Sequence, residues 1–236
     1  VRAGTAGVGE LVLAAVRAGA RRIVVGVGGS ATTDGGRGAV EAVGSRDRLE
    51  GAELVVACDV RTPFRQAAEV FGPQKGATPE QVAELTRRLD GLAGRYRRLG
   101  VDVDRLPGAG AAGGLAGGLA ALGARLVPGF DLVAELVGLA GRLAGADLVM
   151  TGEGCLDATS FDGKVVGGVV AAAGGRAPVL CVVGSTEPGG LAAVPAGGPV
   201  TVVDLSRRFG VARARRDVLE LVAVAVAERV GTAGPP

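Results

Sequence analysis

The sequence contains no histidine and no tryptophan among its 236 residues, and only 3% of the residues are aromatic. Without histidine, Ser-His-Asp and Cys-His nucleophile systems, HExxH zinc sites and histidine-ligated haem are excluded. So few aromatic side chains argue against a base-stacking platform for nucleic acid. The formal net charge is only +2, which excludes the strongly basic surface of a nucleic-acid-binding domain and an acidic disordered tail. We therefore expect small-molecule partners and no nucleic acid.

Long apolar runs and paired cysteines are also scarce. The least polar stretch, residues 108–122, is shorter than the ~20 residues that a membrane helix needs. Cys58, Cys155 and Cys181 are odd in number and far apart, which favours reduced thiols. No charged, apolar and small-residue leader opens the chain, which begins at Val1. These features predict a cytoplasmic protein without a transmembrane helix.

Lysine is nearly absent, since 24 of the 26 basic residues are arginine. The two lysines, Lys75 and Lys164, both stand beside glycine in predicted loops. In a composition that replaces surface lysine by arginine, their retention indicates a function. Chance survival is the alternative.

Apolar residues alternate between helical and extended periodicity along the chain, which predicts an α/β fold. The predicted strands cover residues 22–27, 53–57, 147–150, 179–183 and 200–203. Helices are predicted at residues 9–18, 78–99, 164–173 and 213–230. Three further helices are predicted: one that ends at Val43, one that follows the Gly-rich turn at 108–114, and one that begins at Asp131. A capping box marks the start of the longest helix, and we expect its arginine-rich flank to face solvent. The Gly- and Pro-rich residues 184–199 are predicted to form a loop or hinge.

Ligand-binding residues in open α/β sheets collect at the carboxyl ends of strands. Three predicted strands are followed by acidic, hydroxyl or glycine residues, at 28–36, at Asp59 and at 151–157. Because backbone N–H groups of Gly-rich loops bind anions, phosphate is the expected ligand. The predicted phosphate- or substrate-binding residues are Gly28, Gly29, Ser30, Thr32, Thr33, Gly35, Gly152 and Gly154.

The acidic residues and the two lysines at these loops suggest phosphoryl transfer. The predicted catalytic residues are Asp34, Asp59, Lys75, Glu153, Asp157 and Lys164. The four acids could hold Mg²⁺ or accept a proton from an attacking hydroxyl, and the lysines could neutralise phosphoryl oxygens. Structural alternatives stay open, because Asp34 could cap a helix and Asp59 could end a strand. The constellation as a whole is typical of a kinase.

A nicotinamide-dependent oxidoreductase is the rival function. Residues 26–31 match GxGxxA after a strand, a pattern of dinucleotide-binding folds. The acid that should bind the ribose about 20 residues later is displaced to Asp59. No GxxxxGK[ST] motif occurs, so a P-loop enzyme is excluded.

Five ordered motifs carry a family resemblance that spans nearly the whole chain. They are VGGSATTDGG at 27–36, ACDV at 57–60, FGPQKGA at 71–77, GAGAAGG at 108–114, and TGEG at 151–154 followed by Leu156, Asp157, Gly163 and Lys164. In this order they resemble the bacterial type I glycerate kinases (glycerate 2-kinases). The resemblance implies transfer of the ATP γ-phosphate to D-glycerate, giving 2-phosphoglycerate, with Mg²⁺ as cofactor.

The resemblance also implies a two-domain α/β fold with parallel or mixed sheets, flanking helices and a site between the domains. Members of the family carry a further N-terminal third, so we expect one domain to be incomplete. We assign residues 1–175 to a central domain, 176–231 to part of a second domain and 232–236 to a disordered tail. A homodimer stays open.

The sequence departs from the family pattern at several motif positions. Cys155 replaces an arginine, Thr33 an asparagine and Thr159 a glutamine, and the loop after Asp59 is shortened. Cysteine cannot replace the charged planar fork of arginine. An inactive or complementing kinase fragment that binds ligand without turnover is therefore a second hypothesis.

Overall fold

The computed structural model describes residues 3–161, 163–196 and 198–231. The chain forms two compact units, one up to Gly129 and one from Phe130. The domain boundary predicted near residue 175 falls inside the second unit. The predicted tail at 232–236 lies outside the described residues.

Helices and parallel strands alternate in both units, as predicted. The strands are β1 Arg22–Gly26, β2 Glu53–Ala57, β3 Arg125–Val127, β4 Val149–Leu156, β5 Val179–Thr186 and β6 Val200–Asp204. The helices are α1 Ala6–Arg17, α2 Arg37–Val43, α3 Ala67–Phe71, α4 Pro79–Arg98, α5 Leu115–Ala121, α6 Gly129–Leu136, α7 Leu139–Leu143, α8 Val165–Ala173, α9 Pro188–Ala192, α10 Leu205–Phe209, α11 Val211–Arg216 and α12 Val218–Gly231. Short 3₁₀ turns lie at Arg46–Leu49, Phe64–Gln66, Pro73–Lys75 and Val103–Arg105.

The N-terminal unit is built on a parallel sheet in the order β1-β2-β3. Parallel pairing aligns the carboxyl ends of these strands at one edge. The Gly-rich loop at 27–36 leaves β1 at that edge, and Cys58 and Asp59 leave β2 there. The three-residue strand β3 is absent from the sequence prediction, because three residues carry too little periodicity to be recognised.

Helix α4 begins as predicted and closes one side of the N-terminal core. Thr78 and Gln81 form the reciprocal capping box, and Pro79 occupies the first turn. Tyr96, at the other end of the helix, packs edge-on against Phe64, with ring centroids 5.8 Å apart. Although α4 is 20 residues long, neither it nor another helix in the described ranges is apolar enough to cross a membrane.

Helices α1 and α2 approach each other through two glycines. A Cβ on Gly9 would lie 2.5 Å from the Ala39 carbonyl oxygen, and one on Gly38 would lie 2.5 Å from the Ala6 nitrogen. Any larger residue would push the helices apart, so these glycines set the distance between the two helix N-termini.

The C-terminal unit holds a second parallel sheet, β4-β5-β6. The prediction of a loop at residues 151–154 is wrong, because these residues belong to β4. Gly152 pairs with Val182 in β5, and a Cβ on Gly152 would overlap the Val182 carbonyl oxygen. On β5, a Cβ on Gly184 would lie 2.5 Å from the Gly154 oxygen. The glycines here allow close strand packing and do not form a turn.

Three other sequence predictions for this unit need correction. Strand β5 continues to Thr186, and α9 occupies part of the stretch predicted as a loop or hinge. The predicted final helix is interrupted at Asp217, which separates α11 from α12. The Asp217 carboxylate pairs with Arg216 and Arg213 and so holds the break between the two helices.

Candidate active-site cavity

The N-terminal unit contains a cavity of about 730 Å³, within the size range of small-molecule sites. Its walls are formed by residues 3 and 4, the Gly-rich loop, α2, the turn at 72–77 and one face of α4. Its charged lining residues are Asp34, Arg37, Glu41, Lys75, Arg88 and Arg95. Two predicted catalytic residues, Asp34 and Lys75, therefore meet at one cavity.

Lys75 lies at the end of a 3₁₀ turn that Gly76 closes with a φ of +81°. Its Nζ donates to Ser30 Oγ over 2.9 Å and to the Thr32 carbonyl oxygen over 2.7 Å. The ammonium also lies 5.7 Å from the centroid of the Phe71 ring. Burial lowers the pKa of Lys75. Both hydrogen bonds go to neutral oxygens, and no carboxylate in the described part of the chain pairs with this ammonium, which leaves its charge available to an anion.

Asp34 fastens the N-termini of α1 and α2 to the Gly-rich loop. Its Oδ2 accepts hydrogen bonds from Thr5 N and Thr5 Oγ1, both over 2.8 Å, and from Gly38 N over 3.2 Å. Its Oδ1 accepts one from Gly36 N over 3.1 Å. Thr5 Oγ1 in turn accepts a hydrogen bond from Ala39 N. This network gives Asp34 a structural role, and its role as base or metal ligand stays a prediction.

The remaining predicted residues of the Gly-rich loop fall into two groups. Gly28 and Gly29 are exposed, with open space where a Cβ would stand, and Ser30 and Thr32 contact Lys75. Thr33 lines the cavity. Gly35 is buried at a φ of +67°, and its carbonyl oxygen accepts a hydrogen bond from the Tyr96 hydroxyl over 2.9 Å. The first residues have room for a ligand, whereas Gly35 anchors the loop to the core.

Asp59 lies at the carboxyl end of β2 but does not line the cavity. Its Oδ1 accepts a hydrogen bond from Gly129 N over 2.8 Å, at the first residue of α6. A Cβ on Gly129 would lie 2.7 Å from the same oxygen. Asp59 thus holds the start of α6, and its catalytic and magnesium-binding roles stay predictions.

Glu153, Gly152 and Gly154 lie within β4. Glu153 Oε1 is buried, and no hydrogen-bond partner for it occurs among the described residues. Burial, followed by the nearby charge of Glu153, raises the pKa of the Cys181 thiol to about 11. Cys181 is therefore an inert neutral thiol beside this carboxylate.

Asp157 and Lys164 form an ion pair in the C-terminal unit, with 3.4 Å between Lys164 Nζ and Asp157 Oδ2. Thr159 donates to Asp157 Oδ1 through both its N–H and its hydroxyl, each over 2.7 Å. These two hydrogen bonds, with the charge of Lys164, lower the pKa of Asp157. Lys164 stands at the N-cap position of α8. Unlike Lys75, it is already neutralised by a carboxylate.

Arg88 and Arg95 are cavity residues that the sequence prediction missed. With Gln81, Leu85 and Leu92 they form one stripe of α4 that lines the cavity. Their side chains are 53% and 49% exposed, so they face solvent as predicted and border the cavity as well. Their spacing of seven residues places them on one helix face, as two helical turns require. That spacing was a usable signal, but the sequence could not tell what this face borders.

Comparison with known proteins identifies the family of this chain. The model of the glycerate kinase family matches residues 1–47 and 44–230. The chain is 42% identical to an uncharacterised protein of Mycobacterium bovis over 97% of the chain and 63% of that protein. It is 38% identical to glycerate 2-kinase of Escherichia coli K12 over 76% of the chain and 56% of the enzyme. It spans about three fifths of the length of the curated relatives it matches.

A solved structure supports the same relationship. The crystal structure of a protein provisionally described as glycerate kinase 2 from Salmonella typhimurium LT2 matches with a TM-score of 0.72 at 35% identity. The match covers 97% of this chain and 70% of the other. The family model covers most of the sequence, and the relatives agree with it. The chain therefore belongs to the glycerate kinase family.

Proposed function

We propose that this protein phosphorylates D-glycerate with ATP, giving 2-phosphoglycerate, and that the cavity of the N-terminal unit binds an anionic group of the substrates. Family membership supports the reaction, since the relatives include a glycerate 2-kinase and several glycerate kinases. The cavity supplies chemistry that such substrates require, namely the positive charge of Lys75 and the hydroxyl group of Thr33.

The observation that carries the proposal is the environment of Lys75. Its ammonium borders the cavity, is fixed by two hydrogen bonds and has no carboxylate partner among the described residues. A half-buried cation without a counterion lowers the free energy of any anion that reaches it. Carboxylate and phosphate oxygens are such anions. Lys75 would hold a carboxylate in the ground state or neutralise phosphoryl oxygens as charge develops.

The residues present fit a magnesium ion only where substrate phosphates share in binding it. No three acidic or thiol side chains of the described residues gather into a metal site. Magnesium in phosphoryl-transfer enzymes is held by one or two carboxylates together with phosphate oxygens. Asp34 lines the cavity, and its Oδ1 accepts a single hydrogen bond, so this oxygen could serve as a ligand or receive the proton of the substrate hydroxyl. When bound, Mg²⁺ would neutralise charge on the phosphoryl oxygens.

The geometry of the Gly-rich loop disfavours the rival dinucleotide function. Dinucleotide-binding folds place the pyrophosphate at the N-terminus of a helix that follows the first strand after a tight turn. Here β1 ends at Gly26 and α2 begins only at Arg37, and the Lys75 ammonium contacts the loop between them. We expect NADH titration to give no saturable fluorescence change.

Replacement of Lys75 by alanine tests the proposed function. Loss of one electrostatic donor should lower kcat/KM in a coupled ADP-release assay by about 100-fold or more. The free energy of unfolding should change by about 1 kcal/mol or less. Arg17→Ala is the matched control, because Arg17 is an exposed cation at the end of α1 that does not line the cavity. Unchanged kinetics in Lys75→Ala would contradict the proposal.

The alternative is a chain that binds ligand without turnover. It is favoured because the chain spans only 63% and 56% of the length of two relatives. The assay is therefore run on this chain and, where the gene encodes further residues, on its complete product. Little turnover by this chain, with calorimetric binding of D-glycerate that Lys75→Ala abolishes, supports the alternative. Turnover of ~1 to 100 per second by this chain removes it.

A further inference from the structure

Besides Lys75, the cavity is lined by three arginines that the proposed binding of one glycerate does not use. Four cationic side chains and two carboxylates line it. One of the carboxylates, Asp34, is already surrounded by the amides and the hydroxyl that hold α1 and α2. The three arginines lie on α2 and α4.

A single carboxylate, Glu41, serves two of the arginines. Glu41 Oε1 accepts from Arg37 Nε over 2.8 Å and lies 3.5 Å from Arg95 Nη1. The hydrogen bond from Arg37, with the charges of both arginines, lowers the pKa of Glu41, which stays ionised. One negative charge cannot neutralise two guanidinium groups, and Arg95 makes the longer contact. Arg88 lies two helical turns before Arg95 on α4. It pairs with Glu84, which does not line the cavity.

The cavity is also larger than one small acid needs. D-Glycerate has seven heavy atoms. If each takes up the ~30 Å³ of one water molecule in the liquid, the molecule occupies about 210 Å³. The cavity volume of about 730 Å³ leaves room for a second group beside a glycerate held at Lys75. Arg88 and Arg95 line the same cavity.

We propose that Arg88 and Arg95 form a second anion subsite, which binds a phosphate-bearing group in the same cavity as the organic acid. This inference rests on the proposed function, since it assigns the acid to the Lys75 side. The planar fork of a guanidinium donates paired hydrogen bonds that match phosphate oxygens, which lysine cannot do. The phosphate could belong to a nucleotide or to the phosphorylated acid, and both present the same oxygens to the arginines.

Calorimetric titration of the chain with inorganic pyrophosphate tests the subsite. In the double variant Arg88→Gln, Arg95→Gln, we expect the Kd for pyrophosphate to rise at least 10-fold, while the Kd for D-glycerate stays within twofold. The matched control is Arg98→Gln, three residues further along α4 and outside the cavity lining, which should leave both values unchanged. Arg95→Lys keeps the charge without the fork and should fall between the parent and the double variant. Circular dichroism verifies that each variant is folded.

ADP and 2-phosphoglycerate identify the source of the phosphate. A 10-fold loss confined to ADP assigns the subsite to the nucleotide, and a loss confined to 2-phosphoglycerate assigns it to the phosphorylated acid. Unchanged affinity for all three phosphate probes, or an equal loss in Arg98→Gln, overturns the subsite. Pyrophosphate binding that depends on the two arginines in a chain that fails to bind D-glycerate would refute the proposed function and retain the subsite.

Discussion

Replacing Thr5 with valine tests whether Asp34 fastens α1 to α2. Thr5 is 2% exposed. Its Oγ1 donates to Asp34 Oδ2 over 2.8 Å and accepts from Ala39 N over 3.0 Å. Valine keeps nearly the same shape and removes both hydrogen bonds. The Thr5 backbone N–H still donates to Asp34, so the two helices stay joined by part of the network.

The expected loss follows from the two groups that Thr5→Val leaves without their partner. A hydrogen bond to a charged carboxylate contributes about 1.5 to 3 kcal/mol, and a buried N–H without an acceptor costs about 1 to 3 kcal/mol. Ala39 is fully buried in the first turn of α2, where no earlier helical carbonyl can accept its N–H. The added methyl group offsets about 0.8 kcal/mol. We therefore expect the free energy of unfolding to fall by about 3 kcal/mol.

Urea unfolding followed by circular dichroism measures this loss. Thr86→Val on α4 is the control, because Thr86 Oγ1 is buried and forms no hydrogen bond with a described residue. Removing an unsatisfied hydroxyl should be neutral or stabilising. A loss below about 1 kcal/mol in Thr5→Val, or a loss no larger than that of Thr86→Val, would refute the proposed fastening.

Two further predictions concern β4 and Lys75. Gly152→Ala places a Cβ against the Val182 carbonyl and should lower the free energy of unfolding by about 1 to 3 kcal/mol. Gly154→Ala is the control, because open space surrounds the new Cβ, and it should lower the free energy of unfolding clearly less. Equal losses in urea unfolding would contradict the strand geometry. Because burial lowers the pKa of Lys75, calorimetric affinity for an anionic probe should fall with rising pH before the ordinary lysine value of about 10.4 is reached. Lys75→Arg, whose guanidinium stays charged, should lack this fall, and the same alkaline loss in Lys75→Arg would rule out Lys75 as its origin.

Local signals predicted much of the N-terminal unit. The capping box and the proline of α4 define that helix start within a few residues, and β2 is a short run of branched apolar residues with clear ends. Such features depend on neighbours in the sequence. The motif order then indicated the family, which the comparisons confirm.

The features that the sequence did not predict depend on contacts between residues far apart in the chain. Glycines in β4 look like a turn in the sequence, and only their pairing with β5 reveals that they permit close strand packing. The face of α4 with Arg88 and Arg95 is polar whether it meets solvent or a cavity, so its periodicity could not distinguish the two. In both cases one local pattern fits two tertiary environments.

Asp34 shows most clearly why a residue's type and motif do not decide its role. Its partner Thr5 lies 29 residues earlier in the chain, and three donors converge on Oδ2. An asparagine at this position would place an amide against N–H donors at one of its two ends, so Asp34→Asn disturbs the fold as well as any proton transfer. Thr5→Val disturbs the same network without touching the carboxylate. The loss of turnover in Asp34→Asn is therefore compared with the loss in Thr5→Val. Only the part that exceeds the Thr5→Val loss supports a chemical role for Asp34.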